Sequence, residues 1–270
     1  MRRQKVLLPI MLFFFIFASL PITIQGAVEK KPLYSCVSEL PQIDGFLNQT
    51  EWNNAIPIKV KMYSLSDYSS TIEIEIMSLH NSTMICFGAT VPDKNISTDD
   101  ALIFYFKTNT NNELVTTFVD GYFNLNSNND CKLIRAFYNY SSDCFTLGSY
   151  DTVTEDINYD GTNDGLGKSH YDGTYVTFEC IYPLDSGDII GHDFKLEENN
   201  SIEFFLLYLN DLANPEHSLV KYAQIRILDG DFDYQILYLS CPRRLPVSLT
   251  SIFTGLVIIP LINIIRKKKK

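Results

Sequence analysis

One stretch of this sequence has the make-up of a cation loop. Asp156, Ile157, Asn158, Tyr159, Asp160, Gly161, Thr162, Asn163 and Asp164 spell D-x-N-x-D-G-x-x-D. Calcium takes about six to eight hard oxygens from a backbone that turns sharply. Asp156, Asn158 and Asp160 supply side-chain oxygens at alternate positions, Gly161 the turn, Thr162 a backbone carbonyl and Asp164 a further carboxylate. Gly167 stands where an EF-hand carries its bidentate glutamate, and no long helix pattern flanks the string, which argues against a complete EF-hand. Two readings stay open: a structural calcium loop on Asp156, Asn158, Asp160, Thr162 and Asp164, and a solvated loop built of Asx turns.

Little else in the sequence has the spacing of a reaction centre. His80, His170, His192 and His217 are dispersed, and the chain has no H-E-x-x-H, G-x-S-x-G, P-loop or G-x-G-x-x-G string. Its carboxylates are scattered through strand-like runs and turns, so no pair stands out for acid–base work. The expectation is a binding protein, not an enzyme. Six cysteines are present, with no C-x-x-C pair of the kind that holds zinc. Cys36 and Cys241 lie at the two ends of the central region and are placed to tie it together. Cys131 and Cys144 flank a short polar stretch suited to a hairpin tip. Cys86 and Cys180 fall inside apolar runs and read as small buried hydrophobes.

The elements that must position these groups are strands. Ile58, Val60 and Met62 alternate with Lys59 and Lys61, and Ile72, Ile74 and Ile76 alternate with Glu73 and Glu75, so each run has one dry and one wet face. Further runs at 84–90, 101–107, 114–119, 133–138, 175–181, 202–209, 220–228 and 232–239 are short, rich in β-branched or aromatic residues, and bounded by Asn, Asp, Ser or Gly. No amphipathic helix of three turns or more is evident. About ten strands of this spacing predict an all-β fold, an antiparallel β-sandwich, with a barrel as the open alternative. The interval from Gly148 to Gly173, which holds the acidic string, is the longest without a strand signal, and loops of that length are usually functional or disordered.

The ends carry different signals. Arg2, Arg3 and Lys5 precede an apolar run from Val6 to Leu20, the pattern of a secretory signal over 1–26, with Gly26 and Ala27 offering a cleavage point; cleavage and retention as an anchor both remain open. Leu245 to Ile265 is uncharged and mostly apolar; 21 residues at ~1.5 Å each span ~31 Å, the thickness of a bilayer core. Residues 266–270, Arg266 and four lysines, form a basic tail that the positive-inside rule places in the cytoplasm. The expectation is therefore an N-terminal signal segment, an extracytoplasmic domain over 27–244, one C-terminal transmembrane helix over 245–265, and a single-pass cell-membrane location with the N-terminus outside. Of 22 basic residues, three precede the signal run and five end the chain, which leaves 14 against 32 acids in the domain, a balance of −18. That charge argues against nucleic acid or anionic lipid as the domain's partner. Five Asn-x-Ser/Thr sequons, at Asn48, Asn81, Asn95, Asn139 and Asn199, are consistent with export.

Pro41 to Ala55, PQIDGFLNQTEWNNA, resembles the opening of family 9 carbohydrate-binding-module-like and DOMON-like domains, an I-D-G…E-W…A string. MICFGATVPD at Met84 to Asp93, DDALIFYF from Asp99 to Phe106, and YVTFECIYPLDSGD at Tyr175 to Asp188 are similar to later strands of the same family, the last to its haem-binding relatives. The resemblance implies a β-sandwich that binds a sugar or a haem, or serves as an accessory surface module. Sugar-binding members clamp the ring with tryptophans, whereas Trp52 is the sole tryptophan here and belongs to the opening motif, where packing is its expected role. Tyr138, Tyr140, Tyr150, Tyr159 and Tyr171 are then the aromatic residues left to meet a glycan. Haem-binding members use a methionine that the stretch from Val115 to Asn126 lacks, so a haem b electron-transfer module would need other ligands, such as His170 or His192. The reading that follows is a membrane-anchored surface module for a glycan or a surface protein; the alternatives are the haem b module and a structural surface protein.

Overall fold

A computed structural model describes residues 32–64, 70–97, 100–108, 115–119, 122–125, 128–137, 140–146, 153–188, 193–210, 219–223, 225–226, 231–232 and 235–242. The signal segment, the apolar run 245–265 and the basic tail lie outside the described residues, as do Tyr138, Tyr150 and His192. Among the described residues no helix is long and apolar enough to cross a membrane.

Nearly all of the regular structure in the described chain is strand. Its first half holds β1 (Leu33–Val37), β2 (Ile58–Ser64), β3 (Thr71–His80), β4 (Met84–Pro92), β5 (Ala101–Phe106), β6 (Val115–Val119), β7 (Tyr122–Leu125) and β8 (Asp130–Arg135). Its second half holds β9 (Ser141–Thr146), β10 (Val153–Glu155), β11 (Leu166–Tyr171), β12 (Tyr175–Pro183), β13 (Ser201–Asn210), β14 (Leu219–Ala223), β15 (Ile225–Arg226), β16 (Asp231–Phe232) and β17 (Gln235–Tyr238). One 3-10 turn, Asp156–Tyr159, is the helical element among them. The interval expected to be free of strands contains β10 and β11. Those segments escaped notice because LGKSHY and VTE lack the alternation of apolar and polar residues that marks a strand with one buried face.

Thirteen strands form one continuous sheet in the order β10-β9-β8-β5-β13-β14-β2-β3-β4-β12-β11, with β1 and β17 making a second bridge between β13 and β3. The sheet folds over itself as a sandwich. Ile74 and Ile76 of β3, Phe87 and Ala89 of β4, and Val176 and Phe178 of β12 meet Phe104 and Phe106 of β5 and Phe204, Leu206 and Tyr208 of β13 in one buried core. Phe87 stands 5.0 Å from Phe104 and 5.6 Å from Phe106 between ring centroids, distances at which aromatic pairs attract beyond simple burial. Period-two alternation sends the same residues' neighbours, Glu75, Met77, Gly88, Thr90, Thr177 and Glu179, to the outer face.

The sheet is mixed, which corrects the antiparallel expectation. β1 runs parallel to β17 through Leu33 and Tyr34 and parallel to β3 through Ser35, Cys36 and Val37. It pairs this way because residues 38–57 separate it from β2, a connection long enough to let the strand enter the seam without a hairpin.

Cys36 and Cys241 are joined, as their positions suggested, and close a loop with a sequence separation of 205. Cys131 and Cys144 face each other across the β8–β9 pair as free thiols, and Cys86 and Cys180 are free and buried. Burial pushes the Cys86 thiol up to about 12 and holds Cys180 well above the usual thiol range, so both act as small hydrophobes. On the chain-entropy model a loop of this length is worth about 5 kcal/mol. The Cys36→Ser/Cys241→Ser variant is therefore expected to lose about 2–5 kcal/mol and about 5–15 °C in Tm by scanning calorimetry. An unchanged Tm would show that the β1–β17 seam holds without the bond.

Candidate functional site

The outer face of β3, β4 and β12 is partly roofed by the segment between β1 and β2. Glu179, fully buried on β12, accepts hydrogen bonds from the Trp52 indole N–H at 2.8 Å, the Gly45 amide at 2.8 Å and the Asp44 amide at 3.0 Å. Burial raises the Glu179 pKa, and these three donors work against that rise by satisfying the ionised carboxylate. Trp52, 5 % exposed, packs with Ile43, Cys36, Leu79 and Cys86 in a second small core. Gly88 leaves the space this requires, since a Cβ there would lie 2.7 Å from Leu47 Cδ2 and 3.2 Å from the Trp52 ring. The opening motif is thus a clasp onto the glutamate of the later strand, and Trp52 has the packing role expected of it.

Beside the clasp the sheet is open. Register sets Glu75 of β3 opposite Thr90 of β4, Thr90 opposite Thr177 of β12, and Thr177 opposite His170 of β11, which makes one polar row across four strands. This row floors a groove of about 790 Å³. Phe46, 51 % exposed, stacks on the His170 ring with centroids 3.9 Å apart and forms one wall; Tyr175, 45 % exposed, lines it too. Asp44 and Asp172 add two further carboxylates to that of Glu75 along the groove. The Tyr175 and Thr174 amides both donate to Asp172 Oδ1 at 2.8 Å and hold its carboxyl below the ordinary range, so it is ionised at neutral pH. Aromatic faces beside fixed hydrogen-bond acceptors can hold an amphipathic ligand that has flat apolar patches and many hydroxyl donors.

A second constellation lies buried at the β8–β9 side. Lys132, 2 % exposed, directs its ammonium at Asp130 Oδ1 (3.0 Å), Asp193 Oδ1 (2.9 Å) and Asp143 Oδ1, and sits over the rings of Tyr182 and Phe194. Burial works against its charge, but the three carboxylates outweigh burial and hold its pKa above the usual lysine value. Asp156 and Asp188 approach the same place, each offering an oxygen within 4.8 Å of one from Asp193. Burial, then the charges of Asp143 and Asp193, raises Asp156 to about 7; burial likewise raises Asp143 to about 6.

The residues singled out from sequence are dispersed by the fold. Asp156 is buried, whereas Asn158, Asp160 and Thr162 are exposed and Asp164 is partly exposed; Asp164 accepts from the Thr162 hydroxyl at 2.6 Å. Only Asp156 of that string joins a carboxylate cluster among the described residues. Tyr140 hydrogen-bonds to Glu155, Tyr159 packs edge-on against Phe145, and Tyr171 donates to the Lys94 carbonyl at 3.1 Å. None of these three tyrosines lines the groove. His170, considered as a haem ligand, stacks on Phe46. Sequence reasoning missed Phe46 and Tyr175 as site residues. The available signals were an aromatic side chain directly after I-D-G, in a turn otherwise polar, and a tyrosine at the outward end of β12's alternation.

No protein-family model matches the sequence, and no curated protein matches it significantly. Solved structures do. A presumed carbohydrate-binding protein from Bacteroides uniformis superposes with a TM-score of 0.50 at 8% identity, covering 78% of this chain and 100% of that one. The chain shares its fold. A family 9 carbohydrate-binding module from Caldicellulosiruptor kristjanssonii in complex with glucose gives a TM-score of 0.48 at 13% identity, with 80% of this chain and 99% of that one covered. A family 9 carbohydrate-binding module from the same organism in complex with cellotriose gives 0.47 at 12% identity, with 80% of this chain and 98% of that one covered. Identities this low speak to backbone architecture and leave the site to be argued from its own residues.

Proposed function

We propose that this chain is a non-catalytic surface module that binds a neutral glycan in the groove between the clasp and β11. The observation that carries this reading is the groove itself: Phe46 held by its stack on His170, exposed Tyr175, and the row Glu75, Thr90 and Thr177 beneath them. Sugar rings present C–H faces that lie against aromatic rings and hydroxyls that donate to carboxylates. The acids lining the groove, Asp44, Glu75 and Asp172, favour a neutral sugar and repel uronic or sulfated ones. The fold is shared with a presumed carbohydrate-binding protein, which supports the reading without defining the site. In this account the run 245–265 anchors the module and the groove faces outward from the membrane.

Calorimetric titration of the full chain with cellotriose tests the aromatic wall. Phe46→Ala and Tyr175→Ala are each expected to weaken binding about tenfold, ~1.4 kcal/mol, with little change in Tm because both residues are about half exposed and lie outside the buried core. Unaltered affinity in both variants would remove the groove from the account.

A further inference from the structure

We propose that Asp156, Asp188 and Asp193 together hold a calcium ion. The three come from separate segments: the first residue of the 3-10 turn, the connection after β12, and the approach to Phe194. Each brings a carboxylate oxygen within 4.8 Å of the other two. Proximity of acids alone would mean little. What points to a ligand is the condition of the buried oxygens. Asp156 is 4 % exposed and its Oδ1 has no hydrogen-bond donor; the Asp193 side chain is 8 % exposed and its Oδ2 has none either. Buried carboxylate oxygens without donors are costly, and an unmet charge costs more than an unmet neutral group.

Lys132 meets only part of this demand. It engages Asp193 through Oδ1 and otherwise turns to Asp130 and Asp143, and Asp143 Oδ2 is also without a donor. One ammonium thus stands against five carboxylates, those of Asp130, Asp143, Asp156, Asp188 and Asp193. A divalent cation on the side away from Lys132 would meet the remaining charge. The donors are all hard oxygens, with no histidine or thiol in the group, which suits calcium and its tolerance of irregular and bidentate carboxylates. The acidic string contributes through its glycine. A Cβ on Gly161 would lie 3.0 Å from Asp188 Oδ2, and that close approach places the Thr162 amide 3.2 Å from the same oxygen, which fixes the carboxylate's orientation.

The test uses the full chain freed of metal with chelator, then titrated with Ca²⁺ alone and followed by calorimetry and thermal unfolding. Saturable heat is expected, together with a rise in Tm of about 5 °C at free Ca²⁺ about a hundred times the dissociation constant. Asp156→Asn and Asp188→Asn should abolish both responses while the chelator-treated variants melt at or above the wild-type temperature, since each removes a like charge. Asp160→Asn, in the exposed part of the string, should respond as wild type does. The proposal is overturned if wild type shows neither heat nor a Tm shift up to about 10 mM, beyond the weak end of known calcium modules. It is equally overturned if the response survives in both Asp156→Asn and Asp188→Asn, or if Asp160→Asn loses it, which would move the ion to the string itself.

Discussion

Replacing Lys132 with alanine is expected to destabilise the protein by about 3–5 kcal/mol at pH 8, among the largest effects available in this fold. The side chain is 2 % exposed, and its ammonium is the counter-charge to Asp130, Asp143 and Asp193, themselves almost wholly buried. Without it those carboxylates must be protonated or stay charged in a low-dielectric site. The loss should shrink as pH falls, and the sign follows from linkage. The Lys132 charge lowers the pKa of Asp130, Asp143 and Asp156, so removing it raises them further above their unfolded values near 3.8. At pH 5 the folded variant then binds protons that the unfolded chain does not, and proton uptake by the folded state favours folding. Urea unfolding at pH 5 and pH 8 provides the comparison. A variant within 1 kcal/mol of wild type at both pH values would show that the cage contributes little. Lys132→Met, which keeps the apolar stem, is expected to behave like alanine, because the charge and not the volume is what the cage requires.

Trp52→Ala should cost a similar amount, about 3–5 kcal/mol, by a different route. The indole fills the small core under the clasp, in contact with residues that include Leu79 and Cys86, both fully buried. Its N–H is one of three donors to Glu179, so truncation both opens a cavity and leaves Oε1 unmet. Trp52→Phe separates the two effects. It keeps most of the ring and loses the N–H, and an intermediate cost of about 1–3 kcal/mol is expected. Since the segment roofed by Trp52 also carries Phe46, Trp52→Ala should weaken ligand binding along with stability, whereas Phe46→Ala should weaken binding alone. Equal denaturant midpoints for wild type and Trp52→Ala would mean that the clasp is held by Glu179 and the two backbone amides without the indole.

The strands that alternate cleanly were legible from their residues. Ile58 to Met62 and Ile72 to Ile76 pair with one another as β2 and β3, their lysines and glutamates on the wet face, and Lys59 meets Glu73 at 2.7 Å there. β9 was not legible. Its sequence, SSDCFT, is polar by composition yet wholly buried, because Asp143 turns inward to Lys132 and Ser142 to Glu155, and such partners become visible only in three dimensions. The same reason hid both sites. The groove depends on sheet order, which places His170 of β11 in register with Thr177 and, through β4, with Glu75. Nothing in the local spacing of Glu75, Thr90 and His170 implies that they share a row. In the acidic string, composition pointed to the right stretch, but the fold takes only Asp156 inward and draws the other carboxylates from positions 188 and 193. The clasp lies between these cases: Trp52 and Glu179 each belonged to a recognisable motif, and the structure shows that they are partners.

The sole tryptophan also gives the most direct test of the central claim. Trp52 lies behind the groove wall, where Leu47 and Met77 share its surroundings at Gly88 and line the groove on their other side. A fluorescence titration of the full chain with glucose, cellotriose and other neutral oligosaccharides should give a saturable change in Trp52 emission for at least one sugar. The change should be lost in the Phe46→Ala/Tyr175→Ala variant at unchanged Tm. Saturable binding that persists in the double variant, or no binding by any neutral glycan, would contradict the account.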